Sequence, residues 1–185
     1  MLKSLIETER LLIDKLSLAD AVDLQAYYVH NASHLDPWEP LRSQRFHELK
    51  ACRARIKSAV GEMDAGSAVK LVLRLKQTGA LIGLCNFNNI VRGPFQACTL
   101  GYSIAASAQG QGFMFEALSA SVAHMFDHEK LHRIMVNYIP ENTRSGRLLE
   151  RLGFEIEGQA KNYLHIAGVW RDHILTAKTN PDFSF

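Results

Sequence analysis

A short glycine-containing loop, placed between a strand pattern and a helix pattern, is the feature that most constrains this 185-residue chain. The strand pattern ends in Leu100-Gly101-Tyr102-Ser103-Ile104. The loop carries Gln109-Gly110-Gln111-Gly112, and a helix pattern follows with Phe113 and Met114. Glycine lets the backbone turn sharply and approach a ligand closely. The unpaired N–H groups of a first helical turn, together with the helix dipole, favour a pyrophosphate. The pattern predicts a phosphate-binding loop, with a plain strand-to-helix turn as the alternative.

Two other phosphate motifs do not fit this loop. A dinucleotide-binding fingerprint needs a third glycine at position 115, which is Phe115. A P-loop needs a Gly-Lys-Ser/Thr tripeptide, and none follows Gly112. The helix after the loop is supported by apolar residues at helical spacing, which is typical of core packing: Met114, Ala117, Leu118, Val122, Met125 and Phe126.

The rest of the chain alternates between strand and helix patterns. Three successive segments with alternating apolar residues, 69–75, 81–91 and 95–104, predict an antiparallel meander. Ser17 and Asp20 have the capping-box spacing of a helix start, after a first strand at 10–13. Further helices are predicted at 43–63 and 142–152, and the glycine loop together with its helix spans 109 to about 128. A loop is predicted at 34–40, and strands at 133–138, 154–164 and 170–177. The expected fold is α+β, with a single mixed, largely antiparallel central sheet flanked by helices.

Composition limits the class of protein. With 47% hydrophobic and 22% charged residues, residues 1–185 are expected to form one globular domain. The net charge of +2 is too small to indicate nucleic-acid binding by itself. Three cysteines without CxxC spacing favour a reducing compartment. With neither a secretory signal nor an apolar run of about 18 residues, the expected location is cytoplasmic, without membrane contact.

At the glycine loop the sequence resembles the GNAT acetyltransferases, which carry Gln/Arg-x-x-Gly-x-Gly/Ala after their fourth strand. Gln109-x-x-Gly112-x-Met114 is similar, with Met114 in place of the small residue. The segments 140–145 (Pro-Glu-Asn-Thr-Arg-Ser) and 152–154 (Leu-Gly-Phe) resemble the second coenzyme-contacting segment of that family. The resemblance extends to the RimJ type of ribosomal-protein-alanine N-acetyltransferase through the segments Pro37–Pro40, Asn89–Gly93, Phe113–Leu118, His132–Met135 and Trp170–His173.

This resemblance implies the GNAT fold, with a coenzyme-binding core at about residues 98–155. It implies transfer of an acetyl group from acetyl-CoA, as co-substrate, to the N-terminal alanine of a small-subunit ribosomal protein. It also implies coenzyme contacts from Ser103, Ile104, Gln109, Gly110, Gln111, Gly112, Phe113, Met114, Asn137 and Asn142. Asn142 has the alternative, or additional, role of capping the helix that follows it.

Three residues are candidates for the catalytic chemistry. Resemblance to the RimL branch implies that Ser145 protonates the coenzyme thiolate; a first-turn hydroxyl bound only to backbone is the alternative. Tyr163 is a second candidate acid, or else a half-buried packing residue. Related enzymes carry a glutamate where Asn162 stands here. Glu39, in the loop around Trp38, is therefore the substitute candidate for that base, or else a solvated carboxylate.

The strands expected to flank the site offer no clear base, because 100–104 and 133–138 contain no carboxylate and no histidine. An N-terminal amine has a pKa of about 7.7–8.0, against about 10.4 for lysine, so it is already partly neutral near pH 7. A weak base or a water chain then suffices. The residues therefore favour a protein N-terminus over a lysine side chain as the acceptor.

Two other functions stay open on the same fold: acetylation of a small-molecule amine, and a non-catalytic ribosome-assembly factor. The basic segment 43–63 is typical of a solvated helix face, with contact to ribosomal RNA or to coenzyme phosphate as the alternative. His124, His128 and His132 have four-residue spacing but no adjacent third ligand, so no metal site is expected.

Overall fold

The computed structural model describes residues 4–184, which form one sheet of eight strands flanked by four α-helices. The strands are β1 (Ile6–Glu7), β2 (Leu11–Lys15), β3 (Val69–Leu75), β4 (Leu81–Val91), β5 (Ala97–Ile104), β6 (Arg133–Tyr138), β7 (Glu155–Ile166) and β8 (Val169–Thr179). The helices are α1 (Ala21–Leu35), α2 (Leu49–Asp64), α3 (Phe113–Asp127) and α4 (Thr143–Arg151). The strand order is β1-β2-β3-β4-β5-β6-β8-β7.

The predicted fold class is confirmed, including the antiparallel meander of β3, β4 and β5. The only parallel pair in the described sheet is β5 with β6, so the sheet is mixed but largely antiparallel. All six apolar residues predicted to form the inner face of α3 are buried, and Ala117, Leu118 and Met125 are completely so. This packing fixes the helix that follows the glycine loop.

Some boundaries differ from the prediction at the N-terminal side. The capping box is present, because Ser17 N and Oγ both donate to Asp20 Oδ2, at 2.8 and 2.9 Å. It opens a 3₁₀ turn, Leu18–Asp20, before α1 begins. The loop predicted at 34–40 is shorter, since α1 runs to Leu35 and Asp36–Trp38 form another 3₁₀ turn. The short strand β1 was not predicted.

The helix predicted over 43–63 begins later. Residues Gln44–His47 form a 3₁₀ turn and Glu48 is extended, with a ψ of 139°, so α2 begins at Leu49. In a continuous helix the Phe46 carbonyl would accept a backbone hydrogen bond. Here it accepts from Arg55 Nη1 instead, at 2.8 Å. The Arg55 guanidinium also lies over the Phe46 ring, at 3.8 Å from its centroid. Tertiary contacts of this segment outweigh its helical pattern.

The two central strands separate at one end, and this opening positions the candidate site. The parallel pairing of β5 with β6 runs from Ala97↔Arg133 to Thr99↔Met135 and stops there. Both strands continue, β5 paired with β4 as far as Ile104 and β6 paired with β8 as far as Tyr138. Residues 100–104 and 136–138 therefore line the two sides of a cleft in the sheet.

Adjacent residues of β5 also fix where the helices lie. Successive side chains of a strand point to opposite faces of the sheet. Tyr102 contacts α4 through Ser145, whereas Ser103 contacts α1 through Tyr27. Hence α1 and α4 cover opposite faces at the cleft. Within residues 4–184, no helix is long and apolar enough to cross a membrane.

Candidate active site

The glycine loop adopts the conformation that its sequence predicts. Gly110 and Gly112 have φ values of 73° and 80°, in the left-handed region that glycine enters without steric cost. Gly112 is the N-cap of α3, which begins at Phe113, directly after the loop as predicted. Among residues 4–184, no acceptor binds the N–H groups of Gly112, Phe113 and Met114.

Arg10, the residue before β2, lies against this loop, and sequence reasoning did not find it. Arg10 Nη1 donates to the Gln111 carbonyl at 2.9 Å, and its guanidinium lies 4.3 Å from the centre of the Phe113 ring. Arg10 Nε also donates to Glu116 Oε2 at 2.6 Å. The loop is thus tied to the N-terminal strands by a cation, which adds positive potential where an anionic ligand would lie.

Glu116 in the first turn of α3 anchors this arginine. Burial acts to raise the pKa of Glu116, but hydrogen bonds from Thr8 and from Arg10 outweigh it, so the pKa lies below its ordinary value. Thr8 Oγ1 donates to Glu116 Oε1 at 2.6 Å and the Arg10 N–H donates to the same oxygen at 2.8 Å. A carboxylate held ionised in this way keeps Arg10 in one orientation beside the loop.

Gln109, the first residue of the motif, links three parts of the fold. Its Oε1 accepts from Arg144 Nη1 at 2.7 Å, and its Nε2 lies 3.0 Å from His34 Nε2. The side chain of Gln109 therefore connects α1 with the first turn of α4 across the entrance of the cleft. His34 and Arg144 had no signal in the sequence that pointed to this contact. The other motif side chains differ, since Met114 is buried in the core and Gln111 donates to the Ser107 carbonyl at 2.8 Å.

The first turn of α4 brings Ser145 to the cleft. Asn142 caps α4, because its Oδ1 accepts from the Ser145 N–H at 3.2 Å, so the predicted cap is confirmed. Gly146 allows the helix to approach β6 closely: a Cβ on Gly146 would lie 2.9 Å from Tyr138 Oη. The Ser145 hydroxyl lies 2.5 Å from Tyr102 Oη. Sequence reasoning proposed Ser145 and Asn142 but not Tyr102.

The remaining predicted coenzyme residues lie on the two separated strands. Ser103 Oγ accepts from Tyr27 Oη at 2.9 Å, so its side chain is held by α1 and its backbone is the group left for a ligand. Ile104 is the last residue of β5 and pairs with Gly83 of β4. Asn137 lies on β6 beyond the last β5 partner, half-buried. These positions agree with the predicted coenzyme contacts, which stay predictions.

The other two catalytic candidates lie on the loop after α1 and on β7. Glu39 forms an ion pair with Arg42 at 2.9 Å, and its carbonyl accepts from the Ala167 N–H at 2.9 Å. The loop after α1 is thereby joined to the β7–β8 turn. Tyr163 on β7 is 43% exposed, and its ring lies 5.6 Å from that of His173. Neither side chain hydrogen-bonds Ser145 within the described chain, and their catalytic roles stay predictions.

The three histidines do not form one cluster. The rings of His124 and His128 lie 4.6 Å apart on α3, whereas the ring of His132 lies 5.2 Å from that of Phe183. Across residues 4–184, no three His, Cys, Asp or Glu side chains come together as a metal site.

Residues 10–155 match the family described as the acetyltransferase (GNAT) domain. The chain belongs to the GNAT acetyltransferases. It is 46% identical to the [ribosomal protein uS5]-alanine N-acetyltransferase of Escherichia coli K12, over 97% of this chain and 92% of that one. The structure of ribosomal-protein-S5-alanine acetyltransferase from Vibrio fischeri has a TM-score of 0.93 at 39% identity, covering 97% of this chain and 98% of that one. Mycobacterium smegmatis RimJ in complex with CoA-disulfide gives 0.88 at 29% identity, covering 95% and 84%.

Membership of the GNAT family assigns a meaning to the geometry of the cleft. The predicted family and its fold are confirmed, and the matched segment contains the glycine loop, both separated strands and α4. In this GNAT domain, the loop offers backbone donors to an anion, and the separated strands leave room for an acyl chain between them. Ser145, Tyr102 and Asn142 gather on one side of that opening.

Proposed function

We propose that this protein transfers the acetyl group of acetyl-CoA to the N-terminal alanine of ribosomal protein uS5, in the cytoplasm. The observation that carries the proposal is the 46% identity, over 97% of the chain, to an enzyme with that activity. Identity at this level along the whole domain is consistent with a shared acceptor as well as a shared coenzyme. The single N-acetyltransferase domain would span residues 1–185, with the coenzyme core at about 98–155.

The residues present fit acetyl-CoA as the acetyl donor. The unpaired N–H groups of Gly112, Phe113 and Met114 suit the pyrophosphate, and the Arg10 guanidinium adds positive charge beside them. Gln109, tied to His34 and Arg144, would hold the loop at the distance that the pantetheine arm needs. The strand ends at Ser103 and Ile104, with Asn137 and Asn142 opposite, line the path from the loop to the cleft.

The reaction needs a neutral amine near the carbonyl, donors for the oxyanion, and a proton for the departing sulfur. The nitrogen of the acceptor forms a bond to the carbonyl carbon and loses one proton to solvent. As the C–S bond breaks, its electron pair goes to sulfur, which takes a proton from Ser145. The seryl oxygen recovers a proton from solvent, so protons balance.

Replacing Ser145 by alanine should lower kcat about 100-fold, because general-acid catalysis contributes on the order of 10²–10⁴-fold. The KM for acetyl-CoA should change less than threefold, since the proton is needed only as the C–S bond breaks. Steady-state kinetics with a thiol-detecting reagent measures both. Ser119→Ala is the matched control: it removes an exposed hydroxyl on α3 that forms no hydrogen bond with a described residue, and it should leave kcat within twofold. A rise in KM with kcat unchanged would make Ser145 a coenzyme contact.

The acceptor would enter between the loop after α1 and the β7–β8 turn. Leu41 from that loop packs against Gly168 of the turn, where an added Cβ would lie 3.0 Å from Leu41 Cδ1. Trp38 on that loop and Trp170 next to that turn are both exposed. Glu39 would attract the protonated N-terminal amine before it loses its proton, and Tyr163 on β7 is a second group within this wall.

The function is tested by mass spectrometry of ribosomal proteins from cells with and without this protein. Loss of one acetyl group from the N-terminal alanine of uS5 alone is the expected result. An unchanged uS5 with an acetylated small amine would support the small-molecule alternative. An unchanged uS5 with altered small-subunit assembly, and no acetyl transfer in vitro, would support a non-catalytic assembly factor.

The basic face of α2 is a candidate contact with ribosomal RNA around the acceptor. Lys50, Arg53 and Lys57 are all exposed and recur at three- and four-residue spacing, so they lie along one face of α2. None of the three forms an ion pair with another described residue. The other face of α2 is buried at Cys52 and Ile56. A row of unpaired cations of this kind suits a phosphate backbone.

Replacing Arg53 and Lys57 together by glutamine should weaken binding to a small-subunit RNA fragment. It should reduce the slope of log affinity against log salt by roughly 0.7–0.9 per charge removed. The matched control is Lys15→Gln with Lys130→Gln, two exposed cations outside α2. Equal slopes for the two double variants would leave α2 as an ordinary solvated face.

A further inference from the structure

Two hydroxyl groups meet inside the cleft, and only one of them belongs to the proposed acid. Tyr102 Oη and Ser145 Oγ are 2.5 Å apart, which joins the free part of β5 to the first turn of α4. The contact lies two to three residues beyond the point where β5 and β6 separate. Sulfur of a bound thioester would approach this region if the proposed function holds, and any catalytic role for Tyr102 rests on that function.

A single hydrogen bond between two hydroxyls has one donor, and the surroundings decide which one. Among residues 4–184, Tyr102 Oη contacts no acceptor other than Ser145 Oγ. If Ser145 donated, the phenolic hydrogen of this half-buried ring would have no partner, which costs about 1–3 kcal/mol. If Tyr102 donates, its hydroxyl is satisfied, and the hydrogen of Ser145 is free to turn towards the cleft.

We infer that Tyr102 is a positioning residue, which donates its hydroxyl hydrogen to Ser145 Oγ and so directs the Ser145 proton at the departing sulfur. A serine in the first turn of a helix otherwise tends to bond to nearby backbone, where its proton is of no use in the cleft. Tyr102 occupies the lone pair of Ser145 that faces β5. This role goes beyond that of the acid itself, and Tyr102 exchanges no proton in the reaction.

Burial of the phenol is consistent with a permanent donor. Burial raises the pKa of Tyr102 to about 12, partly offset by the hydrogen bond with Ser145. The phenol therefore keeps its hydrogen throughout the pH range in which an enzyme works. A serine hydroxyl that accepts one hydrogen bond is also polarised, so its own hydrogen is donated more readily.

The backbone around Ser145 is held from two other directions. Asn142 Oδ1 accepts from the Ser145 N–H at 3.2 Å. Gly146 brings α4 against the Tyr138 ring, where an added Cβ would lie 3.0 Å from two ring carbons. With the backbone fixed by these contacts, rotation about the Cα–Cβ bond of Ser145 is the freedom that remains. The Tyr102 hydroxyl removes that freedom.

A double-mutant cycle with Tyr102→Phe and Ser145→Ala tests the inference. Tyr102→Phe should lower kcat about 10-fold in the wild-type chain, with the KM for acetyl-CoA nearly unchanged, as expected for a group that acts on a general acid. In the Ser145→Ala background, Tyr102→Phe should have no further effect, because there is no seryl proton left to direct. Tyr28→Phe, another largely buried tyrosine but one that packs on Phe46, is the matched control and should change kcat less than twofold in both backgrounds.

A second readout does not depend on turnover. Calorimetry compares the affinity for CoA with the affinity for desulfo-CoA, which lacks the thiol. At about pH 9 roughly three quarters of a free thiol of pKa near 8.5 is ionised, so the thiolate can accept the Ser145 proton in a hydrogen bond. The affinity advantage of CoA over desulfo-CoA should fall in both Tyr102→Phe and Ser145→Ala, with the larger loss in Ser145→Ala, and should be unchanged in Tyr28→Phe.

The outcomes separate this inference from the proposed function. If wild-type protein acetylates uS5 but the effects of Tyr102→Phe and Ser145→Ala on kcat multiply, Tyr102 acts independently of Ser145 and the inference is wrong. Equal CoA preference in wild type and Tyr102→Phe would also overturn it. If wild-type protein transfers no acetyl group to uS5, the proposed function is wrong, whatever the calorimetric result.

Discussion

Gly112→Val is expected to weaken acetyl-CoA binding at least 100-fold, by roughly 2.7 kcal/mol or more. Gly112 has a φ of 80°, and a β-branched residue held there costs about 1–3 kcal/mol, so the backbone would shift towards negative φ. That shift turns the N–H groups of Gly112 and Phe113 away from the pyrophosphate. Each hydrogen bond to a charged group is worth about 1.5–3 kcal/mol, so losing two of them accounts for the effect.

The fold should survive this substitution, which makes calorimetric titration with acetyl-CoA a clean measurement. An added Cβ at Gly112 would meet only the tip of Arg10, at 3.5 Å, an ordinary contact with a flexible side chain. Gly93→Val is the matched control, since Gly93 has a φ of 72° and nothing within 4 Å of an added Cβ, at the other end of β5. It should lower the melting temperature to a similar extent and leave the affinity unchanged. Equal affinities for wild type and Gly112→Val would disprove the phosphate-loop assignment.

Features that depend on neighbouring residues in the chain were predictable from the sequence. The two glycines of the loop, the apolar face of α3, the Ser17–Asp20 capping box and the Asn142 cap each have a local pattern, and each has the expected geometry. The meander could also be predicted from local patterns, because period-two alternation separated by glycine turns leaves few other arrangements.

Boundaries failed where tertiary contacts or backbone dihedrals outweigh periodicity. The basic segment 43–63 has helical spacing throughout. However, Arg55 binds the Phe46 carbonyl and stacks on the Phe46 ring, so the α-helix begins only at Leu49. The strand predicted over 95–104 begins only at Ala97, because Gln96 has a φ of 40°, which an extended strand does not adopt. Both effects act on only a few residues, which is why element identity was predicted and element ends were not.

The candidate site was predicted in part, and the missing part consists of long-range side-chain pairs. Arg10 and Glu116 are separated by 106 residues, His34 and Gln109 by 75, and Tyr102 and Ser145 by 43. The pattern within one segment does not predict such a pair, because the contact depends on how the sheet places two distant elements next to each other. A hydrogen bond between strand β5 and helix α4 becomes visible only when the separation of β5 and β6 is known.

The second large effect concerns the acceptor amine. At pH 7 roughly a tenth of an N-terminal amine is neutral, against a few parts in ten thousand for lysine. The described strands at the cleft supply no carboxylate or histidine, and Glu39 is already paired with Arg42. An enzyme without a strong base acetylates lysine slowly, because only the rare neutral form of the lysine amine can attack the thioester. We therefore expect the rate with a free N-terminal alanine to exceed that with a lysine side chain by on the order of 100-fold or more.

The measurement that tests the account most directly compares two peptides of the uS5 N-terminal sequence with acetyl-CoA at pH 7. One has a free N-terminal alanine and an acetylated internal lysine; the other has a blocked N-terminus and a free lysine. Mass spectrometry over time should detect a single acetyl group added to the alanine of the first peptide and no change in the second. Similar rates for the two peptides would contradict both the proposed acceptor and the argument from the missing base.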